Sequence, residues 1–280
     1  MDQAIQSTLF LNPVPRKVNA AQRFVVAYQS VGKISFTLSE LTEETGLSPI
    51  AAAAQLKRLS QVVRVAPRAD FFLILSPEQL AIGAPPVSWW LHAYFQQQQS
   101  PYYLALLSAA AEHGSSHQAV QTVQVITDKA LRELKLGRIR VQFFVKKNIE
   151  NSPTTRLPNA FAPLNVSTPE VTALDLIRYA YRIGGIGRAT QAISGMASQF
   201  SKKGLRKALQ ADGEISTIQR LGFILEILEQ HGLSKIVEEY LPKKLNRVML
   251  EHHRPISPSS LPPVSTRWSV IINSDISELS

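Results

Sequence analysis

Between Phe36 and Leu75 the chain reads as two short helices followed by two apolar strands, an order that leaves few folds open. Ser39 precedes Glu40 and Leu41, and Glu43 and Glu44 follow. This is the charge order that a helix dipole favours, and Gly46 supplies the stop. Ser48-Pro49 opens the next helix, a capping hydroxyl ahead of proline at the first helical position, and the helix continues through Ala51 to Leu59. Val62, Val63 and Val65 then face Phe71 to Leu75 across a Pro-Arg-Ala-Asp turn, the pattern of a β-hairpin. Upstream, Asn19 can cap a helix that packs Phe24, Val25 and Tyr28 onto the other two. Three helices and a hairpin in this order read as a winged helix-turn-helix.

If Ile50, Ala53, Ala54 and the Leu56–Leu59 stretch face inward, the 3.6-residue period sets Ser48, Ala51, Ala52, Gln55 and Arg58 outward, with Lys57 at the margin. Those side chains suit a DNA major groove. Alanine permits close approach and touches thymine methyls, Gln bonds both polar atoms of an adenine edge, and Arg clamps guanine or phosphate. Arg64 on the hairpin and Arg68 in its turn suit the phosphate backbone. Between Arg16 and Arg68 eight Lys or Arg stand against three acids, which favours a nucleic-acid partner. The same fold also serves as a protein-docking module, so the alternative is a non-enzymatic adaptor whose basic second domain holds an acidic partner.

At 280 residues and 45% hydrophobic side chains the chain is long enough for two domains, since a domain typically has about 100–200 residues. Ser76-Pro77 and Gly83-Ala84-Pro85-Pro86 interrupt the pattern just after the hairpin, which sets the boundary at residues 1–84 and 85–280. Of the net charge of +9, residues 1–84 carry +2 and residues 85–280 carry +7. Much of that excess lies between Arg178 and Lys207. Arg178, Arg182, Arg188, Lys202, Lys203, Arg206 and Lys207 occur there without one acid, either as a surface for an anionic partner or as a solvated helix face. Lys129, Arg132, Lys135, Arg138 and Arg140 form a second cluster, which could also blunt a sheet edge.

The chain contains no cysteine, which excludes disulfides, thiolate metal sites and cysteine nucleophiles. Met1-Asp2-Gln3 lacks the start of a signal peptide, and no run reaches the roughly 18 apolar residues of a membrane helix, so a soluble cytoplasmic protein is expected. His113, His117, His252 and His253 read as surface or capping residues rather than metal ligands, and no cofactor or metal is expected. No phosphate-binding Gly-x-x-x-x-Gly-Lys and no His-Glu-x-x-His occurs. Glu133-Leu134-Lys135, with Asp128 upstream, is a short and non-specific echo of a nuclease site.

Beyond the boundary, Val87 to Gln97 is an aromatic-rich helix, and Tyr102 to Glu112, after Pro101, reads as a second helix apolar nearly all round. Val123 to Thr127 and Ile139 to Val145 read as strands. Thr168-Pro169-Glu170 caps a helix through Tyr181, and further helices follow over Ala189 to Phe200, Lys202 to Gln210, Ile215 to Gln230 with Gly232 as its stop, and Leu233 to Leu241. Pro255 to Pro263 reads as an irregular crossover and Trp268 to Ile272 as a final strand. The fold class is α+β: a winged helix-turn-helix plus a larger, mainly helical α+β domain with a small sheet.

The run from Pro101 to Ala110, followed by Glu112-His113-Gly114, resembles the start of the C-terminal domain of AbiEi-type antitoxins. Further pieces follow in order: Val123 to Thr127; Val166 to Glu170 with Ala173-Leu174-Asp175-Leu176 behind it; Arg220 to Leu225; and Arg267 to Val270. With the winged helix the resemblance covers nearly the whole chain. It implies an antitoxin of a type IV toxin–antitoxin system. The N-terminal domain would bind inverted repeats in its own promoter as an autorepressor, and the C-terminal domain would counter a cognate nucleotidyltransferase toxin. A monomer in solution that places two copies on each operator fits this division. The chain is not the toxin, because Gly184-Gly185-Ile186-Gly187 is followed by Arg188 and not by the Asp-x-Asp of a two-metal site. It departs from expectation at Ala51 to Ala54, which leave few polar readers on the recognition helix.

Overall fold

The computed structural model describes residues 18–115, 122–159, 161–252, 254 and 262–274, and divides into two compact units, Met1–Pro85 and Pro86–Ser280.

In the first unit, helix α1 (Ala20–Ser30) is followed by strand β1 (Ser35–Phe36), helices α2 (Leu38–Thr45) and α3 (Pro49–Leu56), and strands β2 (Val62–Arg64) and β3 (Phe72–Ile74). The three strands form an antiparallel sheet in the order β1-β3-β2. Asn19 caps α1, its side chain accepting from the Gln22 amide at 2.8 Å. The cap of α2 is Thr37, two residues ahead of the expected Ser39: Thr37 and Glu40 exchange hydrogen bonds in a capping box, and Gly46 closes the helix at φ +68°. Ser39 is instead a helical residue, and its hydroxyl donates to Asp70 at 3.2 Å. Asp70 also accepts from the Leu38 amide at 2.6 Å, so the hairpin supplies a carboxylate to the N-terminus of α2. Ser48 caps α3 and Pro49 opens it. Phe24, Tyr28, Phe36 and Phe72 form an aromatic core with Leu41, Ala52 and Leu56 packed around it.

The second unit begins with α4 (Val87–Gln97), β4 (Tyr102–Leu104), α5 (Leu106–Glu112), β5 (Thr122–Thr127), β6 (Leu134–Leu136), β7 (Ile139–Val145), β8 (Thr154–Leu157) and β9 (Leu164–Ser167). These strands make one mixed sheet in the order β6-β7-β5-β4-β9-β8, with β5 parallel to β7 and β4 parallel to β9. Tyr102 to Leu104 is therefore a strand and not the start of a helix. It lies mid-sheet and all three residues are buried, so the period-2 alternation that marks a half-exposed strand is missing from its sequence. The helix starts only at Leu106, whose φ of +53° turns the chain out of the sheet.

Helices α6 (Pro169–Arg178), α7 (Ala180–Ile183), α8 (Ile186–Met196), α9 (Lys202–Ala211), α10 (Ile215–Ile227) and α11 (His231–Glu238) follow, and a small sheet of β10 (Val248–Met249), β12 (Val270–Ile271) and β11 (Val264–Ser265) ends the described chain. The turn after α10 is made by Glu229 at φ +58°; Gly232, expected to stop that helix, lies inside α11. The core runs from α6 and α10, buried on nearly every side, to Trp268, whose ring rests on Gly222. His117, His253 and most of the expected Pro255–Pro263 crossover lie outside the described residues. No described helix is long and apolar enough to cross a membrane.

Candidate functional site

The outer face of α3 is rotated from the one its sequence suggested. Ala52 is fully buried, because with Leu56 it fills the space under the Phe24–Phe72 cluster. Gln55 also turns inward: its Oε1 accepts from the Ala21 amide at 3.1 Å, satisfying a donor that α1 itself cannot pair. Neither residue lies on the exposed face. Ala51 is half-buried at its margin, whereas Ser48, Ile50, Ala53, Ala54, Lys57 and Arg58 are exposed. Ile50, Ala53 and Ala54, all three assigned inward, are thus outward, and Ile50 is 85% exposed. The helix ends at Leu56, so Arg58 stands in the turn that follows rather than in a fourth helical turn.

Arg64 and Arg68 are both exposed on the hairpin, with different commitments. The Arg64 guanidinium lies 5.4 Å from the Phe72 ring centre, and its Nε donates to the Ala69 carbonyl at 2.7 Å. Arg64 therefore braces the hairpin turn. Arg68, at the tip, has no ionic partner among the described residues, nor have Lys57 and Arg58. Lys57 and Arg58 thus stand exposed at the C-terminal end of α3 and Arg68 at the hairpin tip, while Arg23 and Lys33 are exposed on the α1 side of the unit.

In the second unit the run of basic residues separates into two groups. Arg178 leaves the expected surface patch. Its Nη1 lies 3.5 Å from Asp175 Oδ1, its Nε bonds Glu214 at 2.7 Å, and its Nη2 bonds Asp212. Lys146, itself buried, reaches Asp175 at 2.9 Å and Asp212 at 3.4 Å, and the Tyr103 hydroxyl donates to Asp175 at 2.8 Å. Burial alone would lower the Arg178 pKa, but the hydrogen bond and charge of Asp212, with Asp175 and Glu214, outweigh it and raise the value. Burial likewise works to raise Asp212 and Glu214, and Arg178 overrides it and holds both below their ordinary values. Burial and the nearby Asp175 carboxylate push Tyr179 up to about 12. The window Arg178–Lys207 contains no acid, yet its first arginine is neutralised by acids at 175, 212 and 214.

Arg182 stacks on Phe144 with its guanidinium carbon 4.0 Å from the ring centre, Arg188 Nη1 donates to the Ile183 carbonyl at 3.3 Å, and Arg206 pairs with Glu239. Lys202, Lys203 and Lys207 remain exposed on the outer face of α9, without an ionic partner among the described residues. In the second cluster Lys135 and Arg140 stand opposite each other across β6 and β7 and share Glu133, at 3.3 and 3.6 Å. Glu133, just ahead of β6, thereby acts as a counter-charge to both. His113 caps α5 and its Nε2 meets the Ser167 carbonyl at 2.7 Å. Among the described residues no three His, Asp or Glu side chains are grouped to hold a metal ion.

Tyr103, Asp175, Gly222 and Trp268 come from four separate pieces of the sequence and meet in two contacts, Tyr103 with Asp175 and Gly222 with Trp268. Three of these four residues, all but Trp268, fall within residues 103–227, which match the family model of the AbiEi antitoxin C-terminal domain. Residues 103–227 belong to the AbiEi antitoxin family. The chain thus carries an antitoxin domain. Its fold is similar to that in the crystal structure of the RV2827C protein from Mycobacterium tuberculosis, with a TM-score of 0.65, 16% identity, and coverage of 91% of this chain and 92% of that one. At that identity the likeness is one of fold. No curated protein matches the chain.

Proposed function

We propose that the chain is a non-enzymatic antitoxin that also represses its own operon. Its first unit is read as a winged helix-turn-helix that binds inverted repeats in the promoter, and its AbiEi domain counters a cognate nucleotidyltransferase toxin of a type IV system. The observation that carries this reading is the joining, in one chain, of the AbiEi match over residues 103–227 to a unit whose α3 and hairpin present Ser48, Lys57, Arg58 and Arg68 outward. Ala52 and Gln55 are withdrawn as base readers, and Arg64 as a free phosphate contact, because each is used inside the unit. Ala51 stays at the edge of the interface. A monomer that docks two copies on a palindrome doubles the phosphate count of one small module. Such a protein acts where its promoter is, in the cytoplasm.

The test is binding to the DNA upstream of its own reading frame and to a scrambled fragment, at two salt concentrations, with an Arg58→Ala/Arg68→Ala variant alongside. Selective binding that weakens with salt and is lost in the variant supports repression. Equal, weak binding to both fragments transfers the first unit to a protein-docking role. For the toxin arm, Lys202, Lys203 and Lys207 changed together to Glu should weaken rescue of growth from the toxin. All three are exposed and unpaired among the described residues, so the fold should be kept. Unchanged rescue would remove α9 from the antitoxin surface.

A further inference from the structure

The outer stripe of α3 is apolar where a groove-facing helix usually carries polar readers. Ile50, Ala53, Ala54 and Lys57 fall at i, i+3, i+4 and i+7, on one face of the helix, and all four are exposed. An isoleucine 85% exposed in the first turn of a helix, on a unit that buries Ala52 and Leu56 on the opposite side, is not part of the core. Within the stripe Ile50, Ala53 and Ala54 offer no side-chain hydrogen bond, while the same unit exposes Ser48 at the start of the helix, Lys57 and Arg58 at its end and Arg68 on the hairpin, charges that attract a polyanion. The major groove presents one apolar group that such a stripe can recognise, the C5-methyl of thymine.

We infer that α3 reads its operator through thymine methyls, with Ile50 seated between the methyls of neighbouring thymines and Ala53 and Ala54 permitting the close approach, while Ser48, Lys57, Arg58 and Arg68 hold the backbone. This rests on the operator-binding reading above and assigns the base chemistry of that same site. The half-site is then rich in A·T pairs in the stretch under the N-terminal half of α3.

The experiment compares the chain's own upstream fragment with the same fragment made with deoxyuridine in place of thymidine, which removes every methyl and leaves each base pair intact. The native protein, Ile50→Ala and Val31→Ala are each titrated on both, with a scrambled thymidine fragment as reference. Val31 is a similarly exposed valine away from α3 and serves as the surface control. The native protein and Val31→Ala should bind the uridine fragment about fourfold more weakly for each methyl buried. Ile50→Ala should bind the thymidine fragment more weakly and lose most of its sensitivity to the exchange. Selective binding with equal affinity for both fragments overturns the inference and leaves the operator reading standing. Equal sensitivity in Ile50→Ala and the native protein places the methyl contact elsewhere and overturns the role of Ile50. Failure to prefer the upstream over the scrambled fragment overturns the operator reading and this inference with it.

Discussion

Arg178 touches three carboxylates, and two of them, Asp175 and Asp212, are almost wholly removed from water. Removing its charge leaves those two acids with Lys146 as their one counter-charge among the described residues, so Arg178→Met should destabilise the second unit by about 3 kcal/mol, read by denaturant melting. Asp212 and Glu214 are held below their ordinary values of 3.8 and 4.5. A depressed carboxylate adds stability that is present above its unfolded value and is lost as pH falls towards its folded one. The melting temperature should therefore hold down to about pH 5 and decline as pH falls through and below 4.5 and 3.8, with a shallower decline in Arg178→Met. Gln55 makes a contrasting case. Its amide caps α1 from another helix, so Gln55→Ala should lower the stability of the first unit by about 1 kcal/mol, and any loss of DNA affinity should track that melting shift. These partners were hidden in the sequence because they sit far away in it: Asp212 is 34 residues from Arg178, and Ala21 is 34 from Gln55.

Elements with local signals were legible, and elements defined by their neighbours were not. Asn19, Gly46 and Ser48-Pro49 mark helix ends through their own backbone chemistry, and all three do so in the structure. The face of α3 was misassigned because Ile50 and four alanines carry almost no amphipathic contrast: only the aromatic cluster beneath decides which alanine is buried. β4 was misread for a related reason, as a central strand that is hydrophobic on both faces. β8 and β9, which complete the sheet, are only four residues each: β8 is largely exposed, and the alternation in β9 is limited to Leu164 and Val166. Where α10 meets the end of the chain, the fit is tight enough to test. A methyl on Gly222 would stand 2.1 Å from the Trp268 ring, so Gly222→Ala should destabilise by about 1–3 kcal/mol, and a Trp268→Leu background should remove part of that penalty. An equal penalty in both backgrounds would show that the contact is not the source.

At the scale of the whole chain, the net charge of +9 points to an anionic partner class but does not say where on the chain such a partner would sit. Most of the excess belongs to the second unit, yet several of its cations are spent on Asp212, Glu214, Glu239, Glu133 and the Phe144 ring. The first unit, with less net charge, keeps Lys57, Arg58 and Arg68 exposed. If these three meet phosphates, two copies on a palindrome neutralise about six, and the slope of log affinity against log salt should lie at roughly −5. A slope near zero in a filter-binding or anisotropy series would separate selective binding from phosphate contact. The same three cations are absent from the second unit, Pro86–Ser280, so that unit alone should show no selective binding to the upstream fragment.

Asp70 ties the hairpin to the start of α2 through the Leu38 amide and the Ser39 hydroxyl. The turn end of the hairpin is thereby tied to the helical scaffold at Asp70, while the four residues from Ala66 to Ala69 stand beyond the tie. That junction behaves as a fixed socket with an exchangeable tip. A tip of different length or charge grafted between Val65 and Asp70 would alter how far the hairpin reaches along a duplex without re-aiming α3, and so would let one scaffold serve operators of different flanking geometry.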